Sequence, residues 1–256
     1  MTIKKTDFKF DLRDPMIKIL TALFLFITVG TGFSACRFGR GGKTRVELDA
    51  VYTFDAAGEV TSPMQSEFTE GVTGKLEEKL TVDGRFKVFR THEAGVNASA
   101  EERAKKVNDD KPDLLLSITT GYDPDFTASG TLIYPDVPSS EQNEASLKMA
   151  GILQENMKAG DWSADVRYLY YKPFENDQYQ IMRTETSDTE KYDFGTWTIL
   201  EKTSVPAVVV EQIHLSNASD SQRWSNEEGY ETIAEQYYQA ILEYFGMKDT
   251  RKDVQE

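Results

Sequence analysis

The run Ala207 to Val210, preceded by Pro206 and closed by Glu211, most narrows what this chain can fold into. Three consecutive valines leave no polar face, so a strand built from them needs apolar cover on both sides. Asp113-Leu-Leu-Leu-Ser-Ile118 repeats the pattern. Further strands are predicted at Val46–Tyr52, Phe86–Phe89, Gly130–Tyr134 and Trp197–Leu200. Helical periodicity falls between them. Glu67 to Leu80 puts Phe68, Val72, Leu76 and Leu80 on one face. Ser99-Ala-Glu-Glu102 is a capping-box pattern that opens a helix to about Val107. Ser139 to Gln142 opens another, carrying Ala145, Leu147, Ile152 and Leu153. A last helix from about Glu228 turns Ile233, Tyr237, Ile241 and Phe245 inward and stops at Gly246. Alternation of this kind predicts an α/β fold: three αβα layers around a mostly parallel sheet, in one domain over 46–247. The polar stretch 172–193 breaks the pattern and reads as a long loop insertion, and 248–256 reads as a charged tail.

A net charge of −14 argues against a nucleic-acid partner, since no basic stripe offers itself to phosphate. The one cysteine, Cys36, leaves no intrachain disulfide, and two histidines, His92 and His214, cap imidazole metal ligation. Residues 19–36 are uncharged, follow Lys4, Lys5, Lys9, Arg13 and Lys18, and end in Gly32-Phe-Ser-Ala-Cys36. Residues 1–36 thus read as a signal peptide whose end resembles a bacterial lipobox with Cys36 lipidated, although Phe33 stands where Leu is typical. An uncleaved membrane anchor is the alternative. Residues 37–45 form a glycine-rich tether. The expectation is a membrane-anchored lipoprotein of the cell envelope, facing the periplasm.

A two-sided strand has no reason of its own to end in an acid. Functional groups of open α/β sheets gather just past the carboxyl ends of strands, which makes Glu211 a candidate catalytic acid or base.

Six segments, in order, resemble the zinc-dependent N-acetylmuramoyl-L-alanine amidases, enzymes that cut the peptide stem from the cell-wall glycan. They are Val46–Phe54, Phe86–His92, Glu102–Asn108, Asp113–Gly121, Ser129–Tyr134 and Ile199–Asn217, the last being the strongest. In that family a zinc held by His, Glu and His activates a water, and the Glu of the last segment is the general base. The resemblance implies that Tyr52 and Thr119 replace the two His ligands and that Glu67 alone keeps a ligand position. Glu211 would then hold the base position idle, above a groove floored by Tyr52, Thr119, Thr120 and His214. The expected function is a non-catalytic, amidase-like lipoprotein without a cofactor, binding peptidoglycan or an envelope protein and the lipid membrane through Cys36. Two alternatives stand beside it. One is an active amidase with a zinc site rearranged around His92, His214 and Glu67 or Glu211. The other is a structural subunit of an envelope assembly.

Overall fold

The computed structural model describes residues 42–55, 57, 60–175 and 178–251. The expected signal segment with Cys36, the tether up to 41 and the tail from 252 lie outside the described residues. From Lys43 onward the chain is one compact unit. Among the described residues no helix is long and apolar enough to cross a membrane.

Strands β1 (Thr44–Ala50), β2 (Phe86–Arg90), β3 (Leu114–Gly121), β4 (Thr131–Pro135), β5 (Ala164–Pro173), β6 (Tyr179–Glu185) and β7 (Ala207–His214) form one sheet in the order β2-β1-β3-β7-β4-β5-β6. The β2, β1, β3 and β7 strands run parallel, β4 is antiparallel to β7, β5 parallel to β4, and β6 antiparallel to β5. The valine run behaves as its composition demands. Val208 and Val210 enter the larger core while Ala207 and Val209 enter a second core on the opposite face. Each buried valine contributes roughly 1.5–3 kcal/mol.

Helices α1 (Pro63–Asp83), α2 (Ala100–Asp110), α3 (Asn143–Ala159), α4 (Thr198–Lys202), α5 (Ala218–Trp224) and α6 (Glu227–Tyr244) complete the layers. The larger core lies under α1, α3 and α6, with Phe68, Leu76, Leu153, Tyr237 and Ile241 fully buried. The second core lies under α2 and α4, through Ala104, Val107, Ile199 and Leu200. Contact between α1 and α6 is close because residue 71 is glycine: a Cβ there would stand 2.5 Å from the Tyr230 ring.

Local chemistry sets the helix ends. Ser62 accepts from the Gln65 amide at 3.4 Å ahead of Pro63, and left-handed Gly84 closes α1. The Ser99–Glu102 capping box forms, and α2 then runs on to Asp110. Ser139–Gln142 does not open a helix. It forms a turn, and α3 starts one residue later with no side-chain cap.

Two sequence expectations are corrected. Trp197–Leu200 is the start of helix α4, not a strand: the Leu200 and Glu201 amides both donate to the Trp197 carbonyl at 2.9 Å. A four-residue apolar run carries no period that separates the two structures. Segment 172–193 is in large part a hairpin, not a loop. β5 ends at Pro173, and Tyr179–Glu185 pairs back along it residue for residue. Its polarity is that of an edge strand with one exposed face. Tyr168 and Tyr170 on β5 are buried against Val137 as core, whereas Phe174 and Tyr179 stay exposed.

Candidate functional site

The connections leaving β1 and β2 cross to opposite faces of the sheet, α1 to one and α2 to the other, so a crevice opens where β1 and β3 end. Gln65, in the first turn of α1, closes over the tip of β3. Its amide nitrogen donates to the hydroxyls of Thr119 at 3.4 Å and Thr120 at 3.3 Å, and its carbonyl oxygen accepts from Thr53 at 2.6 Å. Tyr52, two residues past β1, packs edge-on against His92 with ring centroids 5.0 Å apart. Its hydroxyl is buried, without a hydrogen-bond partner among the described residues. His92 is held by backbone, with one ring nitrogen 2.9 Å from the Ala50 carbonyl and the other 3.0 Å from that of Glu93.

Beneath this rim lies Asp49, fully buried on the second-core face of β1. Ser117 donates to it at 2.7 Å, Thr91 at 2.5 Å, and Arg103 from α2 forms an ion pair. Burial pushes its pKa up, but the Arg103 charge and the three hydrogen bonds outweigh that and hold it below the ordinary carboxylate range.

Glu211 faces the same side, in register with Thr119 on β3 and Leu132 on β4. The Tyr134 hydroxyl donates to its Oε2 at 2.7 Å and itself accepts from the Arg183 Nε at 2.8 Å. Arg183 Nη2 stands 3.9 Å from the same carboxylate oxygen. Burial raises the Glu211 pKa; the Tyr134 hydrogen bond and the charges of Arg183 and His214 pull back without cancelling the rise. Tyr134 is raised by its burial and then by the Glu211 charge.

A bulge in β7 brings His214 back toward Glu211: Thr119 to Gly121 spans two residues while Glu211 to His214 spans three. The extra residue lets Gln212 and Ile213 both serve the α6 side, Gln212 accepting from the Tyr237 hydroxyl and Ile213 joining the larger core. The His214 ring then lies against Gly121, where a Cβ would meet it at 2.9 Å. Its Nδ1 is buried and has no hydrogen-bond partner among the described residues. Asp220 anchors the backbone here, accepting from Ser129 at 2.6 Å and from the His214 amide at 3.4 Å.

With this geometry in view, the comparisons are specific. The sequence pattern described as N-acetylmuramoyl-L-alanine amidase matches residues 38–243. The chain belongs to this amidase family. Ami1 from Mycobacterium smegmatis superposes with a TM-score of 0.62 at 18% identity, over 81% of this chain and 99% of that one. An amidase from Clostridium difficile 630 gives 0.59 at 17%, over 81% and 100%. The CwlD amidase from Clostridioides difficile, solved in complex with the GerS lipoprotein, gives 0.53 at 15%, over 80% and 99%. These likenesses establish the fold. No curated protein matches the chain.

Measured against the amidase resemblance, Thr119, Thr120, Glu211 and His214 gather at the ends of β3 and β7, and Tyr52 sits at the end of β1. Glu67 is the correction. It is exposed on α1 with its charge toward Tyr230, and the α1 residue that reaches Thr119 is Gln65. Residues 65 and 67 differ by about 200° around a helix, so only one of them can face the crevice. His92 is bound to the β1 rim, and His214 lies on β3 and β7. Among the described residues no three His, Cys, Asp or Glu side chains converge as a metal site. Sequence reasoning missed Gln65, Tyr134 and Arg183. Gln65 had a signal, since Ser62-Pro-Met-Gln65 is itself a capping-box spacing that starts the helix before Glu67. Arg183 had a weaker one in the alternation of Tyr179, Ile181 and Arg183.

Proposed function

We propose that this domain is a non-catalytic member of the amidase family that binds peptidoglycan in the crevice above β1, β3 and β7. The observation that carries the reading is Gln65. Where the family would hold zinc with imidazole and carboxylate, this chain brings an amide and hydroxyls. The amide already spends both ends on Thr53, Thr119 and Thr120. Neutral hydroxyls and an amide NH2 are poor zinc donors, so the residues present do not fit the metal. Glu211, which would serve as general base, is instead the acceptor of Tyr134 beside Arg183. Retained is a polar floor, the Thr119 and Thr120 hydroxyls under the Gln65 amide, each hydroxyl with a proton left to donate to sugar or peptide.

Elemental analysis of the purified protein, alongside incubation with cell-wall sacculi, tests the reading. The expected result is zinc far below one per chain, with sacculi bound and no stem peptide released. One zinc per chain, with release abolished by Glu211→Gln, would instead make the protein an active amidase.

A protein partner is the second reading, favoured by the CwlD relative solved with a lipoprotein. Protein that fails to sediment with sacculi, yet leaves membranes with a cross-linked envelope protein, would favour it. The same proposal keeps the chain at the cell envelope as a lipoprotein anchored through Cys36. Cys36→Ser should release it from the membrane fraction.

A further inference from the structure

We infer that Arg183 is the ligand-recognition centre of the crevice and takes a carboxylate of a peptide carrying an apolar side chain next to its acid. This rests on the reading that the crevice binds peptidoglycan. Arg183 comes from β6, the last strand of the sheet, and its side chain is 40% exposed. Among the described residues only its Nε makes a hydrogen bond, to Tyr134; the Nη2 to Glu211 distance of 3.9 Å is a charge contact without one. The outer edge of the guanidinium thus keeps donors in the fork geometry that suits a carboxylate.

Its surroundings are built for a peptide. Tyr179 and Ile181 share the Arg183 face of β6 and are 69% and 50% exposed. Across the hairpin, Pro173, Tyr171 and Leu169 pair with Tyr179, Ile181 and Arg183 on that face. The opposite face of β6 sends Met182 against the buried Tyr168 and Tyr170. An exposed apolar strip therefore leads to a guanidinium at the rim of the crevice. Glu211 is the internal stand-in for the ligand acid, near enough to neutralise Arg183 and too far to saturate it.

The test is sedimentation of the full chain, in mild detergent, with two sacculus preparations. One is untreated; in the other, carboxylates are converted to primary amides with carbodiimide and ammonia. Amidation should weaken wild-type binding about tenfold, the loss of one charge-assisted contact. Arg183→Gln should show that loss on untreated sacculi and no further loss on amidated ones, with Arg183→Lys in between. Glu211→Gln, which removes the internal competitor, should bind untreated sacculi more tightly than wild type, an effect that a purely structural Arg183 would not give. Equal binding of wild type to both preparations, or Arg183→Gln binding like wild type, overturns the inference and leaves the crevice reading standing. Wild type that fails to sediment with untreated sacculi overturns both.

Discussion

Asp49 and Glu47 lie two residues apart on one face of β1, and both have no exposed surface. Their surroundings are opposite. Every approach to Asp49 is a donor, from Thr91, Ser117 and Arg103, and its carboxyl is held below the ordinary range although burial alone would raise it. Neither oxygen of Glu47 has a hydrogen-bond partner among the described residues. Burial, then the charge of Asp110, pushes its pKa up to about 7; Asp49 adds to the rise, and Lys106 and Arg45 only partly offset it. Those two cations are engaged elsewhere, Lys106 with the Asp110 carboxylate and Arg45 with the carbonyls of Asp110 and Lys111. Burial itself does not decide what an acid does in this sheet. The donors facing it do.

The largest expected effect comes from breaking the satisfied side. Arg103→Ala leaves Asp49 charged, buried and without its cation, which should cost about 3–5 kcal/mol of folding stability. Urea denaturation at pH 7 measures it. A loss below 1 kcal/mol would mean that Thr91 and Ser117 suffice without the cation.

The orphaned side should respond in the opposite direction. A carboxyl whose folded pKa of about 7 exceeds the ordinary 4.5 favours its protonated form in the folded state. Its penalty is absent below pH 4.5, grows through the window from 4.5 to 7, and is complete above 7. Glu47→Met, close in length and without charge, should therefore stabilise the protein by about 1–3 kcal/mol at pH 8 and change little at pH 4.5. Asp49 contributes the reverse slope: its stabilisation holds above about pH 3.8 and fades as pH falls through its lowered folded pKa. Denaturation of Glu47→Met at both pH values checks the sign, and equal changes at both would remove Glu47 as the source.

The same distinction explains what the sequence could and could not reveal. Strands β3 and β7 were legible because their unbroken apolar runs, Leu114 to Leu116 and Ala207 to Val210, admit one environment, a sheet covered on both faces. The Ser99–Glu102 cap was legible because its partners are three residues apart. Donors that arrive from distant strands leave no such mark. Tyr134 is 77 residues from Glu211, and Arg183 is 49 from Tyr134. Nothing in the local pattern around Glu211 announces them until β4 and β6 find their places. Glu67 shows a different failure. The resemblance assigns that ligand position to Glu67, but the helix starts at Pro63 and its rotation delivers Gln65. Composition had identified the element, and phase decided which side chain served.

Glu211 lies between the two acids of β1, and Tyr134→Phe tests how far toward each. Among the described residues the hydroxyl is the one hydrogen bond on this carboxylate, and it works against the rise that burial causes. Without it the folded pKa of Glu211 should climb further, and Arg183 should lose the acceptor of its Nε. The stability cost should be about 1 kcal/mol on the alkaline side, once the carboxyl is charged. It should shrink toward zero as pH falls and the carboxyl protonates, because a raised folded pKa places the penalty on the alkaline side. Thermal melts of wild type and variant from pH 4 to 8 read this directly. A gap that stays constant across the range would mean that Arg183 alone sets the charge of Glu211. Glu211 would then belong with Asp49, as an acid governed by a cation, and the hydroxyl between them would matter only for packing.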